Sequence, residues 1–278
     1  MLTATGCGGS SADDAVPGSR MPTSSVPASP STTPNSIDGL VTADGHGLYI
    51  ECAGTGSPTI VFLHGIGGNR THGTPLLSEF SSRTRVCIYD RANMGLSDKV
   101  PGVLTGADAV EDLHALLSTA NIPPPYVLVG GSFGGLLTLI FAGTHPTEVA
   151  GMVLIDASLP ADADVDQLLV DRGLIEPIAP TDEYANNGER FFYSIHDEAR
   201  NAVKTIPDIP VTYLLASEFE APPGAPKKEM AAIEKRWLDE FLGQFSNGRV
   251  VDVQGPHYPF PQQPINDAIS GVLDILLA

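Results

Sequence analysis

Tyr126-Val-Leu-Val-Gly-Gly-Ser-Phe-Gly-Gly-Leu-Leu-Thr-Leu-Ile-Phe141 is an apolar run that breaks at a glycine-rich turn and resumes as a helix-like segment, with Ser132 at its centre. Gly130 to Gly134 match Gly-x-Ser-x-Gly. In that pattern a strand reverses into a helix so sharply that the middle residue is held in a strained backbone conformation with its hydroxyl exposed. The flanking glycines are needed because side chains there would collide with the neighbouring strand and helix. The following helix aims its positive N-terminal end at the turn, and the backbone N–H of Phe133 becomes available to a developing oxyanion. These features suit attack on an acyl carbon, with Ser132 as nucleophile. Alone, the motif is weak in a chain with 29 glycines. Its context carries it: a strand pattern over Tyr126–Val129 precedes it, and an apolar segment over Leu136–Ala142 follows, ended by Pro146.

The 278 residues, 42% hydrophobic, suffice for one sizeable core and suggest one domain with an insertion. Fifteen basic against 33 acidic residues leave a net charge of −18. That field repels nucleic acid and disfavours strongly anionic substrates. Three cysteines are too few for a disulfide framework, and no Cys-x-x-Cys suggests zinc. Cys52 and Cys87 fall in predicted strands and read most simply as buried small hydrophobes, with a disulfide between them as the alternative.

Residues 8–36 are dominated by Ser, Pro, Thr, Gly, Ala and Asp, a composition that cannot offset its ordering entropy. The expectation for residues 1–36 is a flexible tether. Ala4, Thr5, Gly6 and Cys7 resemble the lipobox of bacterial lipoproteins, with Ala4 where Leu is usual. That resemblance implies lipidation of Cys7 and an extracytoplasmic, membrane-anchored protein; the alternative is an ordinary Cys7 in a cytoplasmic tail.

From residue 37 onward strands and helices alternate. A hairpin turning at Asp44-Gly45 comes first, then a continuous apolar strand Thr59–Leu63 that ends in His64-Gly-Ile-Gly-Gly68. A glycine-rich loop after a buried strand can present backbone N–H groups to an anion, which makes Ile66 a candidate second oxyanion donor. A strand over Arg85–Tyr89 and an amphipathic helix over Ala107–Ala120 follow. The alternation predicts a doubly wound, mostly parallel sheet whose site lies beyond the strands' C-terminal ends, where His64, Ser132 and Asp156 all fall.

HGIGGN, YDRANMGLSD, GGSFGG, MVLIDAS and VQGPHYPFPQQP, in this order over nearly all of residues 40–278, resemble the successive signatures of the α/β-hydrolase fold superfamily. The resemblance implies an eight-stranded sheet, a helical cap inserted at about residues 159–207, and a Ser, acid, His triad. His257 is then the base, since it follows a strand-like segment and completes the chain order. Counting from Pro210, the family's usual acid position is held by Phe219. Asp156, directly after the strand Met152–Ile155, ranks first as the acid, with Glu220 and Glu218 behind it. A helix carrying Met230, Ile233, Trp237, Phe241 and Phe245 on one stripe, closed by Gly248, is read as core.

The expected function is hydrolysis of an ester, amide or similar acyl bond of a small to medium substrate, with no metal or organic cofactor required. A catalytically silent binding protein on the same scaffold is the alternative.

Overall fold

The computed structural model describes residues 36–218 and 221–278. Cys7 and nearly all of the expected tether lie outside the described residues, as do Phe219 and Glu220. No helix among the described residues is long and apolar enough to cross a membrane.

Strand β1 (Ile37–Ala43) turns at Asp44 and Gly45 and pairs antiparallel with β2 (His46–Ala53). Both turn residues have positive φ, 45° and 86°, the two-residue geometry whose twist matches the flanking strands. Strand β3 (Thr59–Leu63) is buried at every position. After α1 (Thr74–Phe80) and β4 (Val86–Tyr89) comes α2 (Gly106–Thr119), started by a capping box between Thr105 and Asp108. The central unit is β5 (Tyr126–Gly131), α3 (Gly134–Thr144) and β6 (Val149–Ile155).

Eight strands form one sheet in the order β1-β2-β4-β3-β5-β6, then β9 (Val211–Glu218) and β10 (Gly248–Pro256). The pairings of β2 with β1 and β4 are antiparallel and the rest parallel. The continuous apolar strands are explained by two covered faces. Ile60, Phe62, Val127 and Val129 face one side, packing with Leu77 of α1 and Ile269 of α7 (Gln262–Leu277). Val61, Leu63 and Leu128 face the other, with α2, α3 and α6 (Lys227–Leu242). The sheet is therefore doubly wound. Strand order reverses between β3 and β5, which leaves a crevice at their C-terminal ends.

Three expectations need correction. Residues 156–210, between β6 and β9, are helical only in part: α4 (Asp162–Asp171) and α5 (Ile195–Ala202) flank a hairpin of β7 (Glu183–Asn186) and β8 (Glu189–Phe192). The hairpin forms because Asn187 and Gly188 accept positive φ, 50° and 92°, at its turn. Helix α6 ends at Leu242, not near Gly248, which opens β10 instead; a Cβ at Gly248 would overlap the carbonyl of Leu242. Cys52 and Cys87, read as separate hydrophobes, are joined by a disulfide. They sit directly opposite each other in the β2–β4 register, which brings their Cα atoms to 4.1 Å.

Candidate active site

Ser132 sits between β5 and α3 at φ 50°, in the left-handed region that strains a non-glycine residue. The turn closes tightly because a Cβ at Gly134 would overlap the carbonyl of Leu63, and one at Gly130 the side chain of Thr138. Its backbone is fixed from both sides. Ser132 N–H donates to Ile155 at 3.1 Å, and its carbonyl accepts from Gly135 at 2.8 Å and Ser158 at 2.9 Å.

Asp156 follows β6 and is also at positive φ, 39°. Its N–H donates to Leu214 at 2.8 Å, and its Oδ1 accepts the Ala216 N–H at 2.9 Å, so strand β9 holds both backbone and carboxylate. His257, on the loop after β10, bridges the two. Its Nδ1 lies 2.7 Å from Asp156 Oδ2 and its Nε2 3.1 Å from Ser132 Oγ. A carboxylate only accepts, so Nδ1 carries the proton and Nε2 offers its lone pair to the serine hydroxyl. The bond to Asp156 raises the His257 pKa above its ordinary value, against the opposing effect of partial burial.

The structure thus brings Ser132, His257 and Asp156 into one hydrogen-bonded line. Glu218, the last residue of β9, is exposed and makes no bond to His257. Glu220 lies outside the described residues.

The loop after β3 passes against the serine: a Cβ on Gly65 would stand 3.3 Å from that of Ser132. Among the described residues, no protein group accepts the backbone N–H of Ile66 or of Phe133. Both amides are free for an oxyanion. His64 in this loop is fully buried, with its Nδ1 2.9 Å from the Gly65 carbonyl. Burial, and secondly the Arg91 charge, drive its pKa well below the usual range, so it stays neutral.

Sequence reasoning did not single out two residues that hold this loop in shape. Arg91, 1% exposed, donates to the carbonyls of His64 at 2.6 Å and Gly65 at 3.0 Å. Its Nε and second Nη pair with the two oxygens of Glu189, at 2.5 and 3.0 Å. Glu189, at the start of β8, is completely buried and accepts the Gly67 N–H at 2.8 Å. Asn187 of the same hairpin donates to the Gly67 carbonyl at 3.1 Å. Phe133 packs on Phe191 of the hairpin with ring centroids 4.8 Å apart. Arg91 was visible within YDRANMGLSD as a charge entering a buried strand end. Glu189 carried no comparable signal.

A cavity of about 1190 Å³ opens on the acid and base side of the line. Asp156 and His257 are in its wall; Leu169, Tyr184, Met230 and Leu238 supply apolar surface, and Asp162, Asp166, Glu218 and Glu234 supply carboxyl groups. Burial pushes Asp162 up to about 7, against the Leu159 N–H that favours its charged form.

Comparison with known proteins agrees with this architecture. A family model described as alpha/beta hydrolase fold matches residues 58–177, which include β3, the serine turn, Asp156 and α4. The chain has the α/β-hydrolase fold. Among solved structures, it superposes on a thermophilic esterase from Thermogutta terrifontis with a TM-score of 0.54 and 20% identity, over 86% of this chain and 98% of that one. An uncharacterized Bacillus subtilis protein, YqjL, is 33% identical over 106 residues, 38% of this chain and 42% of its own length. A putative carbamate hydrolase, RutD, of Yersinia enterocolitica is 35% identical over 114 residues, covering 40% and 41% respectively. The chain spans less than half the length of these two relatives.

Proposed function

We propose that this α/β-hydrolase is a serine hydrolase that cleaves an ester, amide or carbamate-like acyl bond through an acyl-enzyme. The observation that carries the reading is the unbroken line of hydrogen bonds from Asp156 through His257 to Ser132, beside two unclaimed backbone amides. In the first step His257 Nε2 removes the Ser132 proton as Oγ attacks the acyl carbon. The oxyanion is held by the N–H groups of Phe133 and Ile66, each such donor being worth ~3 kcal/mol in the transition state. Protonated His257 then gives its proton to the leaving group. Water, deprotonated by the same imidazole, attacks the acyl-serine; His257 returns the proton to Ser132 Oγ as the acyl bond breaks and the acid leaves.

The cavity adjoins His257 and Asp156 rather than Ser132, so it takes the leaving-group side of the substrate. Its carboxyl groups disfavour an anionic leaving group. The name of RutD, a putative carbamate hydrolase, supports acyl chemistry of this type. For location, the tether composition of residues 1–36 and the disulfide of the domain support an extracytoplasmic protein anchored through lipidated Cys7, since structural disulfides persist in oxidising compartments. Mass spectrometry of Cys7 after expression with a complete signal tests the anchor; an unmodified thiol refutes it.

The activity is tested by labelling with a fluorophosphonate, which needs no knowledge of the substrate. The expected result is one modified peptide carrying Ser132, with no labelling of Ser132→Ala. Folded protein that resists the probe, and also fails to turn over small activated esters, makes the silent binding scaffold the better reading.

A further inference from the structure

We propose, on the serine-hydrolase reading above, that the substrate's leaving group carries an alkylammonium charge and that Asp162, Asp166 and Glu234 select it in the cavity beside His257. The place follows from proton transfer. His257 Nε2 hands its proton to the first atom of the leaving group, so the remainder of that group runs from the imidazole into the space that His257 itself walls.

The charge follows from the lining. Asp162 and Asp166, four apart on α4, share a helix face; Glu234 comes from α6 and Glu218 from the end of β9. No Lys or Arg stands in the wall. Among the described residues none of these four carboxyl groups has a Lys or Arg partner, whereas the exposed Asp164 and Glu229 of the same two helices are paired with Arg200 and Arg172. The helices thus neutralise exposed acids and leave those of the cavity without a counter-charge. Asp166 accepts the Tyr193 hydroxyl at 2.8 Å and Asp162 the Leu159 N–H at 3.1 Å, which positions both carboxyl groups without cancelling their charge. Burial raises Asp162 to about 7; burial, then the charge of Asp156, raises Glu234. A cation seated among them favours the ionised forms and offsets that cost.

The rest of the wall suits an organic cation rather than a metal ion. Leu169, Met230 and Leu238 offer apolar surface to alkyl substituents, and Tyr184 and Tyr258 add aromatic rings, which attract an ammonium. Among the described residues, no three of these carboxyl groups lie close enough together to ligate one metal ion.

Matched thioesters of one short acyl group test the proposal on the full chain. The thiol carries a trimethylammonium group two or four carbons from sulfur, and each is compared with its neutral tert-butyl isostere and with a sulfonate of the same length. For at least one linker, kcat/KM for the cation is expected to exceed that for the isostere by roughly tenfold or more, with the sulfonate slowest and the ratio shrinking as sodium chloride is raised. Asp166→Asn, which keeps an acceptor for Tyr193, combined with Glu234→Gln brings the ratio toward one. A merely structural loss lowers both substrates alike and leaves the ratio in place. Where the double variant folds poorly, each single variant is expected to lower the ratio at least threefold. Fluorophosphonate labelling of Ser132 with turnover of the cation no faster than of the isostere, or a preference that survives both substitutions, overturns the cation assignment and leaves the hydrolase reading standing. Folded protein that neither takes the probe nor cleaves any thioester overturns the hydrolase reading and this assignment with it.

Discussion

Glu189, from a hairpin inserted between β6 and β9, closes a fully buried ion pair on Arg91 and with the same carboxylate holds the N–H of Gly67. The cap is thereby built into the loop that presents Ile66. Removing one partner leaves a buried charge unpaired, so Glu189→Gln costs about 3–5 kcal/mol of stability in urea denaturation. With the loop loosened, kcat on an activated ester falls by roughly 10²-fold. The double variant Arg91→Met/Glu189→Leu separates the two effects. It recovers most of the stability but not kcat, because the guanidinium that ties the carbonyls of His64 and Gly65 to the hairpin is gone. Recovery of both refutes a positioning role for the pair.

Asp156 rather than Glu218 orients His257, so Asp156→Asn lowers kcat by ~10⁴-fold, while Glu218→Gln and Glu220→Gln change it less than about threefold. Steady-state kinetics on one ester decides this. Equal losses in Asp156→Asn and Glu220→Gln contradict the assignment.

The pH profile follows from the same bond. The imidazole must be neutral to accept the serine proton, and its pKa is raised by Asp156. Activity therefore rises with pH through a midpoint above the ordinary histidine value of about 6.5. Stability runs the opposite way. A raised folded-state pKa means that protonated His257 contributes fully below the unfolded-state value, and the contribution is lost as pH rises through the folded one. In Asp156→Asn the residual activity shows its midpoint at lower pH. An unmoved midpoint means that Asp156 does not set the titration.

The disulfide closes a loop of sequence separation 35, and in the chain-entropy model this contributes about 3–4 kcal/mol. Cys52→Ser/Cys87→Ser, or reduction, lowers the urea midpoint accordingly while probe labelling of Ser132 in the folded protein persists. Alkylation without reductant leaves Cys52 and Cys87 unlabelled, and alkylation after reduction adds one label to each, which peptide mass identifies.

The sheet was legible because its strands are buried on two faces and so read as continuous apolar runs; Thr59–Leu63 is reproduced to the residue. The serine turn was legible because close approach to Leu63 and Thr138 demands glycine at 134 and 130. Where pairing depends on register, one-dimensional reading stops. Cys52 and Cys87 become neighbours only through the β2–β4 alignment. Glu189 lies in a four-residue strand of a mixed polar segment, too short for a period, and it is buried only because Arg91, 98 residues earlier, supplies its counter-charge. Asp156 was favoured over two glutamates by its place directly after a strand, and the Ala216 N–H and His257 both meet its carboxylate.

The register of the first hairpin has a mechanical consequence. Ile37, where the chain enters the sheet, lies opposite Cys52, and Cys52 is bonded to Cys87 in the next strand. Tension drawn through the chain before Ile37 first unzips β1, then strips β2 from its His46 end. It meets a covalent stop at Cys52, before the load reaches β3 or the serine turn. If residues 1–36 do moor the domain to a surface, this arrangement confines tearing to the sheet's outermost hairpin.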